Sequence, residues 1–138
     1  MLKKKENRKK SGTVIVPNNL PVLPTENEMN IAMIASSHYH SDVEFIIPID
    51  DYKRKSADIL MNGVVWEIKC PTGKSKSTIQ NQFRKGSKQS VNLILDSRHT
   101  KLKYEIIEKR VLVELRNRPY LKKVILIDKF AKIVEIRI

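Results

Sequence analysis

Asn62-Gly63 constrains this chain more than any other pair of residues. Both central residues of a type I′ turn need positive φ, and Asn-Gly is the dipeptide that accepts it most readily. β-prone runs flank it on both sides, from Ser56 to Met61 and from Val64 to Cys70. A two-residue loop fixes the register: Met61 faces Val64, Leu60 faces Val65, Ile59 faces Trp66, Asp58 faces Glu67 and Ser56 faces Lys69. Side chains alternate along a strand, and directly opposed residues share a face. One face therefore carries Asp58, Glu67 and Lys69, with Leu60 and Val65 nearer the turn. The other carries Ala57, Ile59, Met61, Val64, Trp66, Ile68 and Cys70, an almost wholly apolar set that must be buried.

Two carboxylates at cross-strand distance repel each other unless a cation lies between them. Mg²⁺, or another hard divalent cation such as Mn²⁺, suits Asp58 and Glu67, because it takes one or two carboxylates and fills its shell with water and phosphate oxygens. Lys69 projects to the same place, where an ammonium orients an attacking water or stabilises charge at phosphorus. The charge of the whole chain points the same way. With 27 Lys and Arg against 15 Asp and Glu, the net charge of +12 calls for a polyanionic partner, nucleic acid first and an anionic membrane surface second. No apolar run is long enough for a membrane span, and no apolar stretch follows the basic N-terminus as a signal peptide requires. A single cysteine, Cys70, rules out an internal disulfide and fits a reducing, cytoplasmic site of action.

The rest of the chain reads as one α/β domain over residues 25–138, preceded by a basic arm. Residues 1–12 hold six cations and one anion, and residues 13–24, with Pro17, Pro21 and Pro24, read as extended. Thr25 and Glu28 have capping-box spacing, so a helix is expected over 26–38 with Ile31, Ala32, Ile34 and Ala35 buried. His38 and His40 have no third ligand nearby and read as solvated helix-end residues. Val43–Ile49 is expected to be a strand and 50–55 a polar loop. After the hairpin, Thr72-Gly73-Lys74-Ser75 looks like the end of a phosphate loop, but Ile68 stands where that motif needs glycine. The amides at the following helix start can still bind a phosphate, and Lys74 and Lys76 there are assigned to substrate binding. A helix is expected over 76–89 on an inner line of Ile79, Phe83 and Gly86. A strand over 91–96, a helix over 102–118 on Tyr104, Ile107, Val111 and Leu115, and strands over 124–127 and 133–138 complete the order.

Asp58 followed by Glu67-Ile68-Lys69 resembles the acid, then acid-x-lysine, of the PD-(D/E)XK nuclease superfamily, with Ala57 where a proline is usual. The first six elements match its restriction-endonuclease-like αβββαβ core, to which a C-terminal helix and two strands are added. That resemblance implies a further acid on the first core helix, carried onto Glu28. It also implies a polar residue from the helix behind the hairpin, Gln82 or Gln89. A narrower resemblance runs through Lys55–Leu60, Gly63–Lys69 and Lys88–Asp96: these stretches are similar to the C-terminal tRNase domain of contact-dependent growth inhibition toxins. It implies a metal-dependent endonuclease acting on tRNA, with an acidic immunity-type protein as a second partner. The residues alone argue only for phosphodiester chemistry on a polyanion. A DNA endonuclease of the same fold and a non-catalytic nucleic-acid-binding protein remain open readings.

Overall fold

The computed structural model describes residues 12–47, 58–75, 77–88 and 90–137. The elements are β1 (Val14–Ile15), α1 (Glu26–Tyr39), β2 (Val43–Phe45), β3 (Asp58–Met61), β4 (Val64–Lys69), α2 (Ser77–Gly86), β5 (Asn92–Asp96), α3 (Tyr104–Asn117), β6 (Lys123–Ile127) and β7 (Ile133–Ile136). The strands form one seven-stranded sheet in sequence order. Pairing is parallel for β1/β2, β4/β5 and β5/β6, and antiparallel for β2/β3, β3/β4 and β6/β7. A parallel connection needs a crossover, and each of the three is made by a helix.

The β3–β4 hairpin has the register that the turn dictates: Asp58 opposite Glu67, Ile59 opposite Trp66, Leu60 opposite Val65, Met61 opposite Val64. Asn62 and Gly63 both adopt positive φ, 52° and 73°. A Cβ at Gly63 would meet no atom within 4 Å, so only its backbone geometry resists substitution. Gly63→Ala is therefore expected to cost about 1 kcal/mol, seen as a lower urea midpoint with an unchanged slope.

Two apolar layers sandwich the sheet. On one face, α1 packs Ile31, Ala32 and Ala35 over Val43, Phe45, Ile59, Met61, Trp66 and Ile68. On the other, α2 and α3 place Ile79, Phe83, Ile107 and Val111 over Leu93, Leu95, Val124 and Leu126. α1 starts at the expected capping box: Thr25 Oγ1 accepts from the Glu28 amide at 3.1 Å, and Glu28 Oε1 accepts from the Thr25 amide at 2.8 Å.

Several boundaries differ from the sequence expectation. Residues 13–24 include a strand: the Val43 amide donates to Thr13 O at 2.9 Å, and Val14, Val16 and Leu20 pack on the α1 layer. β2 stops at Phe45, and residues 48 and 49 lie outside the described residues, as do residues 1–11 of the basic arm, the 50–55 loop, Ser56 and Ala57. α3 begins at Tyr104 rather than Leu102, and β7 ends at Ile136.

Candidate active site

Asp58 at the start of β3 and Glu67 on β4 are cross-strand partners on the sheet face that α2 and α3 cover. The turn register aims them at one point, and the fold then removes them from water: Asp58 is 6% exposed and Glu67 0%. Lys69, two residues on, reaches the same place, with Nζ 3.1 Å from Glu67 Oε2 and 12% of its side chain exposed. Leu60 and Val65, on the same face but nearer the turn, are exposed.

Helix α2 fixes the lysine. A Cβ built on Gly86 would lie 3.1 Å from Leu93 Cδ2 and 3.3 Å from Lys69 Cε. The glycine thus lets the helix lie against the lysine's aliphatic stem, which narrows where the ammonium can go.

The ends of the parallel strands β4 and β5 bring in residues that sequence reasoning did not assign. Asp96, last in β5 and fully buried, is gripped by Arg98. Arg98 Nε donates to Oδ1 and Nη2 to Oδ2, both at 2.9 Å, and the Arg98 amide adds a bond at 3.0 Å. His99 Nε2 lies 3.4 Å from Oδ2. This bidentate pairing occupies Asp96 as a structural anchor. A strand ending in Asp at the centre of a parallel sheet, where ligands gather beyond the carboxyl ends, was the signal available.

Cys70, next to Lys69, is not a nucleophile in waiting. Burial pushes its thiol up to about 12, and the charges of Asp96 and Glu28 add to that against the opposing pull of Arg98 and Lys69. Iodoacetamide at pH 8 is expected to label Cys70 more than about a hundredfold more slowly in the folded protein than in urea. Equal rates would contradict this environment.

The remaining expected site residues are dispersed. Glu28 caps α1, and its charge is felt at Cys70, which places it toward the end of β4. Gln82 is half-buried on α2, and Lys74 is exposed in the loop before it. Lys76 and Gln89 lie outside the described residues. Among the described residues no group of three or more His, Cys, Asp or Glu side chains forms a metal site. Asp58 and Glu67 nevertheless suit one hard divalent cation, which needs no third protein ligand when water and phosphate complete its shell.

The family model of the contact-dependent growth inhibition CdiA C-terminal domain matches residues 55–133, a span that runs from just before β3 to the start of β7. The chain belongs to that family. The matched span of this CdiA C-terminal domain contains Asp58, Glu67 and Lys69, whereas Glu28 lies before it. Among solved structures, the domain is similar to a CdiA-CT/CdiI toxin and immunity complex from Burkholderia pseudomallei. The two are 23% identical with a TM-score of 0.53, over 92% of this chain and 100% of the other, a likeness of fold. No curated protein matches the chain. No helix among the described residues is long and apolar enough to cross a membrane.

Proposed function

We propose that this CdiA C-terminal domain is a toxin effector that hydrolyses phosphodiester bonds in nucleic acid, with tRNA as its substrate and Mg²⁺ or Mn²⁺ as its cofactor. The observation that carries this reading is the convergence of Asp58, Glu67 and Lys69 on one nearly dry spot of the sheet. The αβββαβ order of α1 to β5 supports assigning the domain to the PD-(D/E)XK type.

A divalent cation held by Asp58 and Glu67 would neutralise the opposed carboxylates and act as a Lewis acid toward the scissile phosphate. Lys69 then has two tasks. Its ammonium donates hydrogen bonds that orient the attacking water, and its charge offsets the negative charge that grows on the phosphoryl oxygens as the bond from water to phosphorus forms and the bond to the departing ribose oxygen, which leaves with a proton, breaks. Burial strengthens both, since charge interactions are larger away from water. Gly86 keeps α2 close enough to hold the lysine in line. Glu28, approaching from α1, supports the site, and Gln82, Gln89, Lys74 and Lys76 contact the substrate. The excess of basic residues draws the polyanion in, and an acidic immunity-type protein fits the same surface. The site of action is the cytoplasm.

The test is incubation with a tRNA pool and with duplex DNA, each in Mg²⁺ and in excess EDTA. Cleavage of tRNA that EDTA abolishes is expected. Products that persist in EDTA would remove the cation from the reaction, and cleavage of DNA alone would move the substrate to the other polymer.

A further inference from the structure

Trp66 and Glu67 are neighbours on β4, so they face opposite sides of the sheet. On the Trp66 side, where α1 ends, a cavity of about 260 Å³ opens between the β3–β4 turn and the β6–β7 hairpin. Met61, Trp66 and Ile125 give it an apolar floor, and Lys122, Lys123 and Arg137 stand at its edge. Among the described residues Glu135 is the one carboxylate there, and it is already occupied: Tyr39 donates to its Oε2 at 2.6 Å and Arg137 Nη2 to its Oε1 at 3.4 Å. Trp66 is 5% exposed, and its indole Nε1 is buried with no hydrogen-bond acceptor among the described residues.

We propose that this cavity is a binding site for a nucleoside monophosphate unit. The base rests on the apolar floor of Met61, Trp66 and Ile125. The phosphate meets Lys122, Lys123 and Arg137. A carboxylate side chain of a protein partner would satisfy the cations but leave the floor unfilled, whereas a planar ring that bears a phosphate meets both. The volume lies just under the range of pockets for drug-sized ligands, which suits one ring system. The site is separate from the Asp58–Glu67 pair, being on the other face of the sheet. It deepens the proposed function and rests on it only in the choice of nucleic acid as the ligand's source: a free nucleotide or an unpaired base of an RNA.

Trp66 is the sole tryptophan and lines the cavity, so its emission reports on occupation of it. The protein is titrated with AMP, GMP, CMP and UMP, with inorganic phosphate, and with a poly-glutamate peptide. A saturable emission change with at least one mononucleotide is expected. Lys123→Gln combined with Arg137→Gln should weaken it about tenfold. The source is then read from tRNA cleavage by the lysine–arginine double variant. A raised KM with unchanged kcat marks an RNA base as the ligand, and unchanged kinetics mark a free nucleotide. No response to any mononucleotide, equal affinity for phosphate alone, or a response only to the peptide would each overturn the proposal. The binding titrations do not depend on Glu67, so the pocket and the cleavage reading fail separately.

Discussion

Asp58→Asn is expected to lower cleavage by about a hundredfold or more while making the cation-free protein more stable. Asp58 and Glu67 face each other at cross-strand distance, almost without solvent, and Lys69 Nζ lies 3.1 Å from Glu67 Oε2. Opposed like charges destabilise a strand pair, so removing one should raise stability in EDTA by about 1 kcal/mol. Adding Mg²⁺ should reverse the order. A ligand that binds only the folded state adds about 2.7 kcal/mol at a hundred times its dissociation constant. Wild type should gain that much and the variant little. Melting curves in EDTA and in Mg²⁺ check this directly. A variant that is less stable in EDTA, or that gains as much from Mg²⁺ as wild type, would show that the two acids hold no cation between them.

A second large effect lies away from the site, at the end of α3. Glu114 is 1% exposed, beside the apolar stripe of Ile107, Val111 and Leu115, and its Oε1 accepts from Arg118 Nη1 one turn later. Arg118→Ala leaves a buried carboxylate without its cation, which costs about 3–5 kcal/mol. That is a large part of the roughly 5–15 kcal/mol by which domains are stable. Replacing both residues by methionine should return most of the loss, because no charge is then stranded. Urea denaturation of the single and double variants tests this. A loss under about 1 kcal/mol for Arg118→Ala would mean that water reaches Glu114.

Local chemistry was legible in the sequence, and long-range burial was not. Asn62-Gly63 determines its own hairpin, because the turn and the alternation of side chains act over a few residues. The order of residues around that turn is thus enough to put Asp58, Glu67 and Lys69 on one face. The Thr25–Glu28 capping box is local in the same sense. β1 was not legible: Val14-Ile15 is a short run just before Pro17 and becomes a strand only by pairing with Val43-Glu44, far along the chain. Nor was the degree of burial at Asp58 and Glu67, since periodicity tells which face a residue takes and not what covers it. The cover comes from α2, where Gly86 read as part of an apolar line but acts by its lack of a side chain against Lys69. Arg98 escaped because its partner, Asp96, ends a strand, and which loop residue turns back to a strand end depends on the loop's path.

The most direct measurement is the single-turnover rate of tRNA cleavage in Mg²⁺ by wild type, Glu67→Gln and Lys69→Ala, each shown by melting to be folded. Both variants should be slower by about a hundredfold or more, with cleavage by wild type abolished in EDTA. Rates within about threefold of wild type in the folded variants, or an EDTA-insensitive wild type, would contradict a cation-assisted centre built on Asp58, Glu67 and Lys69.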